Sequence, residues 1–291
     1  MGPTSRVWHL NGLDHHALEW GRAEENSATA VLIHGFQDAA ATWDDVATEL
    51  ARTGLRVLVP DMRGFGDGPR VPSGAYYYFP DYVADVAALV REQVRDAPLF
   101  LVGHSMGATV VSYFAGAFPE RVTKLVLVDG VGPPDNQPSL APTRMRRWIQ
   151  TAGDAPRADR KPMTRADALS RLARNNPDID EAILARKLTQ LARVVQAARG
   201  PDDLLVWATD PVHTTTSPLP FYADAYKAFA RLVTCPVLHV SGGTKGFHIE
   251  DEEERLACFP HLQRVTIEGG HALHWSKPTE LAAALVAFWR G

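Results

Sequence analysis

Residues Leu99-Phe-Leu-Val-Gly-His-Ser-Met-Gly107 decide how this chain folds. Four apolar residues run into Gly103-His-Ser105-Met-Gly107, and a helix-forming stretch follows at once, from Ala108 to Phe118, halted by Pro119. A strand that turns straight into a helix holds one hydroxyl, that of Ser105, at the tip of a crowded backbone turn. Only very small residues two positions to either side let strand and helix approach so closely, and glycine occupies both. The following helix aims its N-terminus at the hydroxyl, which favours negative charge developing there. The stretch therefore predicts a nucleophilic Ser105 at the edge of a sheet.

Outward from this turn, short apolar runs alternate with longer segments of helical period. Val7–Leu10 and His16–Trp20 read as a leading pair of strands, and Ala28–Ile33, Leu55–Pro60, Val122–Val128, Pro236–Ser241 and Gln263–Ile267 as further ones. Between them, Ala39–Arg52, Pro80–Arg95, Glu250–Phe259 and Pro278–Arg290 carry helical spacing; Trp43, Val46, Ala47 and Leu50 share one face of the first. Nearly continuous apolar runs suit parallel strands buried on both faces. Strands alternating with helices predict a mostly parallel sheet covered by helices on both sides.

From Val131 to about Arg231 no strong strand stands out. Arg144–Thr151, Arg165–Asn175 and Ile179–Arg199 look helical, and prolines punctuate the stretch. Because the sheet pattern resumes afterwards, we expect residues 132–231 to be a helical lid inserted in a core of residues 1–131 and 232–291. Residues 133–230 hold 14 Lys and Arg against 11 Asp and Glu, which fits a solvated helical surface or an anion-attracting mouth.

The chain has 291 residues, 45% of them hydrophobic, and a formal charge of −4. That is ample for a full core, and the small negative charge argues against nucleic acid or an anionic membrane as partner. No run approaches a membrane span and no apolar signal core opens the chain, so a cytoplasmic location is expected. Cys235 and Cys258 read as free thiols, and no His/Cys cluster has zinc-ligand spacing, so no metal and no cofactor are expected.

Three further segments carry a resemblance. Ile33-His-Gly-Phe36 follows a buried strand, Pro60-Asp-Met-Arg-Gly-Phe-Gly-Asp67 follows the next, and Gly269-Gly-His271 follows the last. With the serine turn, in this order, they resemble the α/β-hydrolase fold family. The resemblance covers residues 5–131 and 233–290 and implies a mostly parallel eight-stranded sheet. Segments Trp207–Pro211 and Ser217-Pro218 are loosely similar to lids of serine hydrolase-like proteins.

A serine hydroxyl needs a base to take its proton as it attacks, and an imidazole can accept that proton at neutral pH and return it to the leaving group. Of 11 histidines, His271 lies just past a strand end on a Gly-Gly turn, and His274 is its rival. His34 and His104 flank the site as packing and loop-bracing residues, or as part of a substrate pocket. A carboxylate should orient the imidazole. The family commonly carries it after the next-to-last strand, where this chain has Ser241-Gly-Gly-Thr-Lys-Gly-Phe247, without an acid. Asp129, ending the strand beside the nucleophile strand, is the alternative, with Glu250 or Asp251 behind it. Asp61 reads as a loop brace paired with Arg63. The resemblance implies an oxyanion hole from the backbone N–H groups of Phe36 and Met106. Trp148, Trp207 and Tyr222, with Phe221 and Tyr226, could line an apolar chamber or pack the lid.

These readings predict a serine hydrolase acting on a small-molecule, medium-sized apolar ester, as a monomer or homodimer. A serine at the turn, rather than an aspartate, counts against a dehalogenase or epoxide hydrolase. Lactonase, thioesterase and carbon–carbon bond hydrolase would use the same residues, and a non-catalytic ligand-binding homologue is the reading from a different class.

Overall fold

The apolar runs around Ser105 pair into one sheet. The computed structural model describes residues 2–22, 27–152, 162–196 and 203–291. In chain order its strands are β1 (Thr4–Leu10), β2 (Leu13–Trp20), β3 (Thr29–Ile33), β4 (Arg56–Pro60), β5 (Leu99–His104), β6 (Lys124–Val128), β7 (Met163–Thr164), β8 (Ala192–Gln196), β9 (Leu204–Trp207), β10 (Val237–Ser241) and β11 (Leu262–Thr266). The main sheet has eight strands in the order β1-β2-β4-β3-β5-β6-β10-β11. Only β1 and β2 run antiparallel to their neighbours; the rest are parallel, in a register that aligns Val31 with Leu101, Leu101 with Leu125, and Leu125 with Val237.

Helices follow most strands: α1 (Asp44–Ala51), α2 (Phe79–Leu89, continued by one π-helical turn to Val94), α3 (Met106–Ala117), α4 (Ala141–Ala152), α5 (Arg165–Asn175), α6 (Glu181–Leu191), α7 (Ala223–Leu232), α8 (Glu252–Leu256), α9 (Leu273–Ser276) and α10 (Pro278–Arg290). Alternate side chains of each central strand leave by opposite faces, and both faces are buried. Leu101, Leu125, Leu127 and Val237 pack with Val110 and Phe114 of α3 and Tyr226 of α7. Val102, Val126, Val128 and Val240 pack on the other side with Trp43, Leu50 of α1 and Leu285 of α10. This is why the strands read as unbroken apolar runs rather than alternating ones.

The segment between β6 and β10, where the sequence shows no strong strand, holds a small three-stranded sheet and a further helix, α7, besides the expected helices. The helix expected over Ile179–Arg199 stops at Leu191 (α6), and Ala192–Gln196 forms β8, antiparallel to β9, which also pairs with β7. The remaining residues 197–199 lie outside the described residues. Val194 and Val195 are β-branched and suit a strand, but the partner that makes them one is distant in sequence. Leu172, Leu184, Leu188 and Leu205 of this segment pack against Ala272 and Trp275, beside the turn that carries His271. A second correction concerns Asp61. It pairs with His16 Nδ1 at 2.6 Å and accepts the Ala40 N–H, whereas Arg63 forks onto Asp85, with both contacts at 2.6 Å. Cys235 and Cys258 are free thiols.

Candidate active site

Ser105 sits between β5 and α3 with φ 53° and ψ −116°, a left-handed conformation that a non-glycine residue adopts only when its surroundings enforce it. The enforcing contacts are close. A Cβ on Gly103 would lie 2.3 Å from the Gly107 carbonyl oxygen, and one on Gly107 would lie 2.3 Å from that of Ile33. The Ser105 N–H donates to the Val128 carbonyl at 3.0 Å, so the sheet ladder grips the turn itself.

Three side chains from three strand ends meet here. Ser105 Oγ–H donates to His271 Nε2 at 3.0 Å, and His271 Nδ1–H donates to Asp129 Oδ2 at 2.7 Å. Asp129 is 2% exposed and has φ 47°, which turns its carboxylate across the sheet edge. Its oxygens also accept the Gly242 N–H at 2.6 Å and the Phe247 N–H at 2.7 Å. The loop that lacks an acid thus supplies backbone donors to one arriving from β6. These donors carry no side-chain signature, so the sequence does not mark them. Asp251 instead pairs with Arg255 at 2.8 Å, and His274 reaches neither Ser105 nor Asp129.

His274 belongs to a second, buried layer. Its Nε2–H donates to Asp38 Oδ2 at 3.0 Å; Asp38 also accepts from Thr42 Oγ1 and the Ala39 N–H. The His274 ring lies 4.3 Å from that of His104, whose Nε2–H donates to the His271 carbonyl at 2.7 Å. Burial holds both imidazoles below their ordinary value, so they are neutral near pH 7. Burial alone would raise the Asp38 carboxyl, but the His274 hydrogen bond and the surrounding imidazoles hold it well below the usual range. The layer therefore fixes the backbone that presents His271. Asp38, His104 and His274 bring ligand-type atoms within 4.8 Å of one another. The Asp38 carboxylate is already taken by His274, Thr42 and the Ala39 N–H, and His104 Nε2 by the His271 carbonyl, so the set fits a positioning network better than a cation site.

Two cavities open on Ser105. One, of about 850 Å³, has apolar walls that include Phe79, Met106, Tyr113, Phe221 and Tyr222. The other, of about 770 Å³, is polar and includes His104, Arg171, Arg174, Trp207 and His271. Phe36 lines both. Met106 opens α3, where the first N–H groups have no partner within the helix. His34 lines neither cavity. It is fully buried, donates from Nδ1 to the Gly35 carbonyl and accepts the Met62 N–H at Nε2. Trp148 also lines neither; its ring meets Tyr76 edge-on at 5.9 Å. Tyr226 is buried in the core under α3.

The sequence pattern of the α/β hydrolase fold family matches residues 30–278. The chain belongs to that family. This hydrolase-fold protein is similar to a serine hydrolase-like protein of Dictyostelium discoideum, with 26% identity over 290 residues, 95% of this chain and 79% of that one. It is 37% identical to Epoxide hydrolase 2 of Siraitia grosvenorii over 117 residues, which cover 40% of this chain and only 35% of the relative. The solved thioesterase domain from the curacin biosynthetic pathway superposes with a TM-score of 0.84 at 24% identity, over 99% of this chain and 100% of that one, a likeness of fold. Among the described residues, no helix is long and apolar enough to cross a membrane.

Proposed function

We propose that the protein is a serine hydrolase that cleaves carboxylic esters through an acyl-enzyme on Ser105. The observation that carries this reading is the unbroken hydrogen-bond chain Ser105–His271–Asp129, at 3.0 and 2.7 Å. As Oγ attacks the ester carbonyl carbon, His271 Nε2 takes its proton, and Asp129 stabilises the imidazolium and holds the tautomer. The N–H groups of Phe36 and Met106 receive the oxyanion; one such donor is worth about 3–4 kcal/mol in the transition state. Collapse expels the alcohol with the proton from His271. A water molecule, activated by the same nitrogen, then releases the acid.

The substrate is a small molecule whose two ends face different surroundings. The proton must reach the leaving oxygen, so the alcohol lies on the His271 side, in the polar cavity. The acyl group then fills the apolar one. Residues 132–231 act as the lid over a core of 1–131 and 232–291. A cytoplasmic monomer or homodimer, with no metal or cofactor in the reaction, completes the proposal.

A serine at the turn supports acyl transfer over epoxide opening, despite the partial match to an epoxide hydrolase. Lactone, thioester and carbon–carbon bond cleavage share the first step and differ in the leaving group. The test is hydrolysis of a chain-length series of p-nitrophenyl esters by wild type and Ser105→Ala. Turnover at one or more chain lengths, lost in the variant, is the expected result. Folded wild-type protein inert on every member would sink the ester reading.

A further inference from the structure

The apolar cavity beside Ser105 contains a guanidinium, that of Arg144, which forms no ion pair among the described residues. Arg144, on α4, is the one cation among the described residues that line it. Its guanidinium makes a single described hydrogen bond, from Nη1 to Asn136 Oδ1 at 3.1 Å. Its Nε is buried and has no acceptor. Among the described residues, no carboxylate lies within 4.0 Å of the group. Asp135 lines the same cavity and brings a negative charge to it, but its Oδ1 accepts the Ala223 N–H at 2.7 Å and it forms no ion pair with Arg144. Arg255, by contrast, is buried with Asp251 as its counter-ion at 2.8 Å.

Arg144 is half-buried, and its Nε, closed off from water with no acceptor among the described residues, gives up hydration for little return. Here it is also held in place. Asn136 is anchored by its N–H to the Phe221 carbonyl at 3.1 Å and by Nδ2 to the Pro134 carbonyl at 3.3 Å, which aims its Oδ1 at Arg144. An oriented, planar fork with open donors suits a carboxylate. One positive charge matches a single negative one; a phosphate dianion would demand more donors than these walls offer.

We propose that Arg144 is a specificity-determining residue that pairs with a carboxylate at the far end of the acyl group, so that the preferred substrate is a monoester of a dicarboxylic acid. This rests on the reading of Ser105 as the acylated residue and of the apolar cavity as its acyl site. The acyl chain spans the cavity from Oγ to the guanidinium, its methylenes against Tyr113 and Phe221.

The test compares mono-p-nitrophenyl esters of straight-chain dicarboxylic acids, adipic to sebacic, with methyl-ended esters of the same length, using wild type, Arg144→Met and Arg144→Lys. Wild type should favour a carboxylate-ended ester in kcat/KM. In Arg144→Met that preference should fall by about 30-fold or more, chiefly through KM, with part of it kept by lysine. A wild type that favours methyl-ended esters throughout, or a preference that survives Arg144→Met, overturns the proposal. If no ester is turned over, calorimetric titration of wild type and Arg144→Met with suberate and octanoate decides instead. Tighter binding of suberate than octanoate, lost in the variant, supports the carboxylate site even though the ester reading has failed. Octanoate bound as tightly as suberate by wild type overturns it.

Discussion

The carboxylate of Asp129, at the end of β6, lies 2.7 Å from Nδ1 of His271, in the turn after β11. The two residues are separated by 142 positions in sequence and joined across β10. The arrangement depends on that strand, because the loop after β10 donates the Gly242 and Phe247 N–H groups to the same carboxylate. If Asp129 orients the imidazole, Asp129→Asn should lower kcat by about three to four orders of magnitude through the wrong tautomer. Glu250→Gln should leave activity within about twofold, since a surface acid away from the chain of hydrogen bonds contributes little. Steady-state rates on the best p-nitrophenyl ester measure both, and a mild Asp129→Asn phenotype would remove the assignment.

Gly103→Ala tests the turn independently of chemistry. The added Cβ would meet backbone, the Gly107 oxygen at 2.3 Å, which cannot swing aside as a side chain can. A loss of about 3 kcal/mol is expected, at the upper end for overpacking. Urea unfolding followed by circular dichroism reads it. A loss below about 1 kcal/mol would mean that strand and helix separate more easily than their packing suggests.

Stability should fall in acid through the buried imidazoles. His104 and His274 are held below the ordinary value of 6.5, chiefly by loss of hydration. Below that value the unfolded chain takes up protons that the folded protein refuses. The stabilisation present above pH 6.5 is therefore lost as pH falls toward the folded values. Each group steepens the fall by up to about 1.4 kcal/mol per pH unit. His16 acts in the opposite sense, because its Asp61 hydrogen bond raises it. The comparison with His104→Gln, which keeps a donor for the His271 carbonyl, isolates one group. The variant's urea midpoint should fall less steeply from pH 7 to about 5 than that of wild type; identical slopes would count against a buried neutral His104.

Asp85→Asn should destabilise the protein by about 3 kcal/mol. The substitution leaves Arg63, 9% exposed, with the half-buried Asp81 at 3.4 Å as its one counter-charge among the described residues. Thermal or urea unfolding measures the loss. A variant as stable as wild type would show that water reaches the guanidinium more readily than its burial implies.

Much of this architecture is legible in short segments, because their signals are local. Gly103-x-Ser105-x-Gly107 announces its own crowding, the central strands announce burial on both faces by unbroken apolar runs, and Ser105 and Asp129 each follow such a run, whereas His271 is marked by its Gly-Gly turn after the edge strand β11. What is not legible has no local mark. The helix expected through Arg199 ends at Leu191 because β8 finds β9, a pairing between segments that periodicity cannot connect. Arg63 takes Asp85 rather than Asp61, and both distances are properties of the folded loops. Asp38 carries no motif, yet it anchors His274.

The sequence by itself determined the sheet, the serine turn and the strand ends from which a nucleophile, base and acid could emerge, because backbone propensity and hydrophobic period act over a few residues. Only the tertiary structure decided which acid meets His271, which backbone groups hold that acid, and that Arg144 lines the cavity at Ser105 with no ion-pair partner among the described residues. Those are distances between chain segments far apart in sequence, set when two apolar faces of one sheet are buried together.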